Sequence, residues 1–453
     1  MKKKLMLLTF VPILLNVATI SFAKKEEKKL FDFDKLKSNI NFVNRNKNDL
    51  DINSGKIAIL INEKEFTNLF NGNLINNANV NFLIDIIKEL SPETEIKIYS
   101  FLDKDSYEKQ INKIKEDKIK NLFHLYTIVD DKNEQINKNI TSYLDRESKE
   151  NGWINFFATS GNKYSAFYNM YNAILVNEIS VKKENSQFVN LDYIEKSAIY
   201  ENKEQAFKKT FPNIVVPVAG ITNTNFSNLE NSQLATAILI ACFSKMMMND
   251  DQSNHEIKGL QVINSILSSA KKSNMYTIKT FNNNYIYVGA GIFDFDEAWK
   301  THFNGTNVAI TKFAINDFIY EKEFELNKGD EFKSNLLWFN EFEYNWQKAM
   351  IENNINDKLI LLFLNPVIWL TVEIADILSK IKSKMSDLDM VVEYFDGNWQ
   401  EIYRSDSKTM NFEKISFKAI YSGKYRIRVF KHNETLEFHK PFALNMYIKK
   451  QNQ

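Results

Sequence analysis

Asn231-Ser232-Gln233-Leu234-Ala235-Thr236-Ala237 runs without a break into Ile238-Leu239-Ile240-Ala241-Cys242-Phe243-Ser244-Lys245-Met246-Met247-Met248. So apolar a stretch predicts a buried central helix over 234–248 rather than an amphipathic helix on the surface. Such a helix needs neighbours on every side, and the upstream sequence supplies them. Apolar runs at 57–61, 96–99, 122–129 and 154–158 alternate with helical patterns at 80–90, 106–116 and 140–150. That alternation predicts βαβ units, a mainly parallel sheet and right-handed crossovers.

At 453 residues the chain exceeds what one core usually serves, so two domains are expected. Lys and Arg number 58 against 57 Asp and Glu, a formal charge of +1. No global field draws such a chain to nucleic acid or to an anionic membrane, and a partner must be recognised locally. Lys2-Lys3-Lys4, an apolar run over 5–20 and Ser21-Phe22-Ala23 have the layout of a secretory signal peptide over 1–23, cut near Ala23. The expected destination is the medium, the cell surface or the periplasm, with no stable membrane span after cleavage. Cys242 is the sole cysteine, which excludes an internal disulfide and a lipid anchor near residue 23; a bridge-free exported chain of this length points to a bacterial source.

Residues 24–54 are charged and weakly periodic and read as a linker or short arm. A first domain is expected over 55–304. From 305 to 453 the texture turns strand-like, with runs at 389–394, 415–421 and 424–430 separated by Gly397-Asn398 and Ser422-Gly423 turns, the pattern of a β-sandwich. The apolar stretch 359–372, broken by Asn365-Pro366, reads as buried core. Trp338, Phe339, Phe342, Tyr344 and Trp346 read as core packing. Asp387 and Asp389 lack a converging set of oxygen ligands and read as a solvated turn, so no metal and no cofactor is expected.

Several motifs occur in an order that resembles the subtilisin-like serine proteases. Gln233-Leu234-Ala235-Thr236 is similar to the family's Ser-x-Ala-(Ala/Thr) nucleophile segment, with Gln233 at the nucleophile. Pro212-Asn213-Ile214-Val215-Val216-Pro217 resembles its Pro-Asp-Ile-x-Ala-Pro strand. Phe156-Phe157-Ala158-Thr159-Ser160-Gly161-Asn162 resembles the strand ending in Ala-Ala-Gly-Asn, which makes Asn162 the oxyanion donor. Gly289-Ala290-Gly291-Ile292-Phe293-Asp294 and Ala298 resemble the close of the catalytic domain. The first strand, 56–63, puts the family's aspartate on Ile61 or Asn62, and spacing back from Ser91-Pro92 puts its histidine on Asn79.

The resemblance implies a subtilisin-like three-layer αβα domain followed by a jelly-roll-like β-sandwich. It also implies a catalytic centre that has lost orienter, base and nucleophile together. A glutamine amide cannot attack a carbonyl, and an asparagine cannot serve as a general base. None of His124, His255, His302, His432 and His439 lies near a triad motif, and Ser232 is one position off the nucleophile. The expected function is therefore that of an inactive, exported protease homologue that binds a peptide or protein partner in its degenerate cleft. An active endopeptidase using Ser232 or His124, and a surface adhesin using the aromatic-rich C-terminal half, are the alternatives.

Overall fold

The computed structural model describes residues 32–46, 50–63, 78–126, 134–158, 170, 172–184, 187–192, 213–218, 231–271, 277–279, 285–287, 289–310, 318–339, 388–406, 411–431 and 441–451. The first part is an α/β layer. Strands β1 (Ile57–Asn62), β2 (Ile96–Phe101), β3 (Asn121–Leu125), β4 (Ile154–Ala158), β5 (Ala173–Glu184) and β7 (Ile214–Pro217) are parallel, in the order β2-β1-β3-β4-β5-β7. β6 (Gln187–Asp192) folds back on the far end of β5 as an antiparallel hairpin, and β8 (Thr277–Lys279) and β9 (Tyr285–Tyr287) form a separate antiparallel pair. The segment around Ile292 extends the sheet beyond β7 by a parallel bridge to Val215, with Gly289 and Gly291 at positive φ on the way in.

Alternation along β1 sorts the helices into layers. Ile57, Ile59 and Ile61 face α2 (Ala78–Leu90) and α5 (Asn231–Asn249), whereas Ala58 and Leu60 face α3 (Lys104–Glu116) and α4 (Glu134–Asn151). The helix expected over 234–248 is α5. From Leu234 to Met248 every side chain is buried, Lys245 included, because strands lie beneath it, α2 lies beside it and α6 (His255–Ser269) lies across it. Ser244 Oγ donates to the Gly55 carbonyl at 2.6 Å, and a Cβ on Gly55 would run into Met248 and Ser244.

The reading of 24–54 as a linker or short arm needs correction over its described residues. Helix α1 (Phe33–Asn39) buries Leu36, and with Ile40 it enters the same core as α5. Asn41 adopts φ 51 and donates to Asp294 at 2.5 Å, Arg45 pairs with Asp296, and Asp51 N–H donates to the Met248 carbonyl. The sequence hid this strap because the apolar residues that reach the core, Phe33, Leu36, Ile40 and Phe42, are scattered among charged and amide residues.

The C-terminal region holds two four-stranded antiparallel sheets. One is β10 (Thr306–Ile310), β17 (Phe442–Lys449), β12 (Glu331–Leu337) and β15 (Phe412–Lys418); the other is β11 (Phe318–Leu326), β16 (Gly423–Lys431), β13 (Leu388–Asp396) and β14 (Asn398–Ser405). Phe332, Leu336, Phe417, Leu444, Val392 and Ile427 meet in the core between them. The first sheet turns its other face to α6 and α7 (Phe295–Asn304). There Leu337, Phe339, Phe412 and Ala443 join the α/β core, and Lys414 Nζ caps the end of α6 by donating to the carbonyls of Leu267, Ala270 and Ala290 at 2.7–3.0 Å. Of the aromatic cluster expected in the core, Trp338 and Phe339 are buried; Phe342, Tyr344 and Trp346 lie outside the described residues, as do 359–372 and 1–23. Among the described residues no helix is long and apolar enough to cross a membrane.

Because both halves share one core, Phe412→Ala is expected to cost about 3–5 kcal/mol and to lower the melting of both halves together. Urea unfolding followed by far-UV dichroism and by tryptophan emission checks this. Loss of sandwich signal alone would contradict the shared core.

Candidate functional site

The order β2-β1-β3-β4 makes the chain reverse direction across the sheet between β1 and β3. The helix leaving β1 packs on one face, and those leaving β2 and β3 pack on the other. In open α/β sheets the crevice outside the carboxyl ends of the strands at such a reversal is where ligands bind. Connections back to the amino ends are short (91–95, 117–120, 152–153).

The family-like positions fall at this end. Ile61 and Asn62 close β1. Asn79 lies in the first described turn of α2, which leaves the carboxyl end of β1 and returns to the amino end of β2. Gln233 lies in the first described turn of α5; the other end of that helix touches Gly55, just before β1 begins, so Gln233 is at the opposite, carboxyl end. The β1 pleat separates the two candidates for the aspartate position. Ile61 faces the α2/α5 layer that carries Asn79 and Gln233, and Asn62 follows Ala58 and Leu60 toward the α3/α4 layer. Asn62 and Asn79 are buried and Gln233 is half-buried. Asn162 lies outside the described residues.

None of these side chains ionises, so the described groups supply hydrogen bonds and shape rather than acid, base or nucleophile. His124 and Ser232 do not meet. His124 is buried on the α3/α4 side, its Nδ1 2.9 Å from the Tyr126 hydroxyl, its Nε2 2.8 Å from Asn155 Oδ1, and its ring stacked 4.0 Å from Phe157; Ser232 is buried on the helix of the opposite face. Burial pushes His124 down to about 3 despite the opposing Asn155 hydrogen bond, so the ring is neutral near pH 7. The Cys242 thiol is likewise pushed up by burial, and it is no nucleophile at neutral pH. Among the described residues no three His, Cys, Asp or Glu side chains are grouped to hold a metal ion.

One constellation escaped the sequence altogether. His302 Nδ1 lies 3.0 Å from Ser265 Oγ, and its Nε2 lies 2.6 Å from Asp250 Oδ2. The residue types are those of a hydrolase triad, but the surroundings are not. Ser265 is fully buried in mid-helix, with its Oγ 2.9 Å from the Gln261 carbonyl and 3.2 Å from Asn307 Oδ1, which leaves no space for a scissile bond. A nearby cleft lined by Ile154, Ile174, Leu260, Ile263 and Leu337 has about 10 Å³, room for no more than a water. Burial works to raise Asp250, but the His302 hydrogen bond and charge, the Gln252 N–H and Lys258 together hold its carboxyl below the usual range.

No family model matches the chain, and no curated protein matches it. Among solved structures, the pre-peptidase C-terminal domain of a collagenase from Bacillus anthracis aligns with 10% identity over 32% of this chain and 87% of its own length, at a TM-score of 0.17. A protein from Sulfurospirillum deleyianum aligns with 15% identity over 32% of this chain and 98% of its own length, also at 0.17. Likenesses at that score carry no argument about fold or function.

Two histidines give a pH signature. Burial depresses His124 to about 3; burial, with Lys120 and Lys258 nearby, depresses His255 to about 4. Below about 6.5 the unfolded chain binds these protons and the folded chain does not, so stability falls as pH is lowered from there toward 4. His124→Gln is expected to flatten part of that fall, read as the urea midpoint across a pH series. Parallel wild-type and variant curves would contradict a buried neutral ring.

Proposed function

We propose that this chain is an exported, subtilase-like protein with a degenerate catalytic centre, acting by binding a peptide or protein partner at the carboxyl end of its parallel sheet. In this reading the three-layer part is subtilisin-like, the sandwich is jelly-roll-like, and cleavage near Ala23 releases the chain to the medium, the cell surface or the periplasm. One observation carries it. Three positions that the motif order marks as orienter, base and nucleophile fall at one end of one sheet, and they hold Ile61 or Asn62, Asn79 and Gln233. A site of amides and apolar groups can pair with a peptide main chain but cannot move protons. The catalytic alternative has less support, because Ser232 and His124 sit on opposite faces of the sheet.

The purified chain is expected to take no label from a fluorophosphonate probe and to leave casein intact. Labelling at any serine overturns the reading. Asn79→His and Gln233→Ser combined with Ile61→Asp or Asn62→Asp are also expected to give little or no proteolysis. Side chains such as Glu63, Val80 and Asn231 stand where the family's turns carry glycine, and small misplacements cost on the order of 10²-fold. Of the two aspartate positions, Ile61 is the one on the face of Asn79 and Gln233, so any residual activity belongs to the variant with Ile61→Asp.

A further inference from the structure

The two most exposed large apolar side chains among the described residues are neighbours. Ile420, at 60%, and Tyr421, at 58%, lie in the turn between β15 and β16. Tyr421 stacks on Tyr394 at 5.3 Å, and beyond Tyr394 the hairpin from β13 to β14 presents Phe395, 41% exposed and 5.2 Å from Trp399. The turns are held as they stand. The Tyr425 hydroxyl donates to the Tyr421 carbonyl, the Lys328 N–H to Ser422 Oγ and the Gly329 N–H to the Ala419 carbonyl, each at 2.8 Å, and the Arg426 guanidinium lies over the Trp399 ring at 4.4 Å.

Leu337 and Phe412 pair at the end of β12 and β15 that joins the α/β core, and Glu331 and Lys418 pair at the other end, about 20 Å along, where these turns sit. The charges around them are unevenly placed. Asp330 is buried and bonded to Lys450, and Glu331 pairs with Lys333. Lys328, Lys418 and Lys424 are exposed, make no salt bridge among the described residues, and surround the turn of Ile420 and Tyr421. The carboxylates left at this end are Glu325, across from Lys424, and Asp396 in the other hairpin. A tip of two turns is small and convex. Stable protein interfaces bury on the order of 800 Å² per partner, more than four apolar side chains offer. A bilayer surface accepts a few inserted apolar groups, takes aromatic rings at headgroup level and meets lysine with phosphate.

We propose that this tip of the sandwich docks on an anionic phospholipid surface. Ile420 and Tyr421 enter the boundary between headgroups and acyl chains, Phe395 and Trp399 lie at headgroup level, and Lys328, Lys418 and Lys424 meet the lipid phosphates. The docking is interfacial and spans nothing. It needs no refolding, because the side chains already project, and it uses none of Ile61, Asn79 and Gln233.

The test uses the chain without residues 1–23, which keeps every described residue and removes an apolar run that would bind lipid by itself. Flotation with phosphatidylcholine vesicles containing phosphatidylglycerol is expected to carry the protein up, and vesicles of phosphatidylcholine alone to carry less. Ile420→Asp with Tyr421→Asp is expected to weaken the association by at least about tenfold, and Lys328→Glu with Lys418→Glu to remove the preference for phosphatidylglycerol. An unchanged urea midpoint shows that the variants remain folded. On the vesicles, hydrogen exchange is expected to slow in 395–399 and 419–424 and to stay as it was in 57–62. No flotation, or flotation that the Ile420 and Tyr421 variant retains, overturns the proposal. So does a dimer in sedimentation that the same variant disperses, since a second copy would then be what covers the tip.

Discussion

The described α/β layer is arranged around a helix with no polar face. Helix α5 is buried along its length, so each of its sides has to be supplied with a neighbour. The sheet takes one side, and α2, α6 and the 32–55 strap take the others. Those neighbours approach closely where side chains permit. Gly55 passes under Met248 with no room for a Cβ, and Ser244 closes a hydrogen bond to its carbonyl and another of 2.7 Å to Thr94. One hydroxyl on this helix, through two hydrogen bonds, thereby fixes where the start of β1 and the turn before β2 lie, a specificity that apolar packing alone would not provide.

The α/β layer was legible because its signals are repeated. Apolar runs of strand length alternate with helical periodicity from Ile57 to Ala158, and each repetition confirms the last. The C-terminal strands were legible from alternation and from Gly397 and Gly423, whose φ of 74° and 149° only glycine takes readily. What could not be read was the join. Asn264 and Asn335 exchange hydrogen bonds across the interface, with Asn264 Nδ2 also 3.1 Å from the Ala443 carbonyl, and Lys333 pairs with Glu297 at 3.0 Å. In sequence each is a polar residue inside an apolar strand or helix and looks like a solvent-facing position; only the fold shows that the face opposite it is polar too.

Legibility at the candidate site was of a different kind. Motif order brought Ile61, Asn62, Asn79 and Gln233 into consideration, but the choice between the first two needed the pleat of β1, because one residue of slip moves a side chain to the other face. The Ser265, His302 and Asp250 constellation had no local signature, since Ser265 lies on α6, His302 on α7 and Asp250 just past the end of α5, and their meeting depends on how α6 crosses α7.

The strap has a consequence for the order in which the chain can complete itself. Lys37 and Asn46 meet Glu89 and Glu93 early in the chain, but Asn46 also receives Lys245, Asn41 reaches Asp294 and Arg45 reaches Asp296. These last contacts wait until more than half of the polypeptide has followed the strap out of the ribosome. Contacts of that span demand loop closure before they return any stabilisation, which slows the last step of folding. A polypeptide built this way closes its α/β layer only when both ends of that layer have been made.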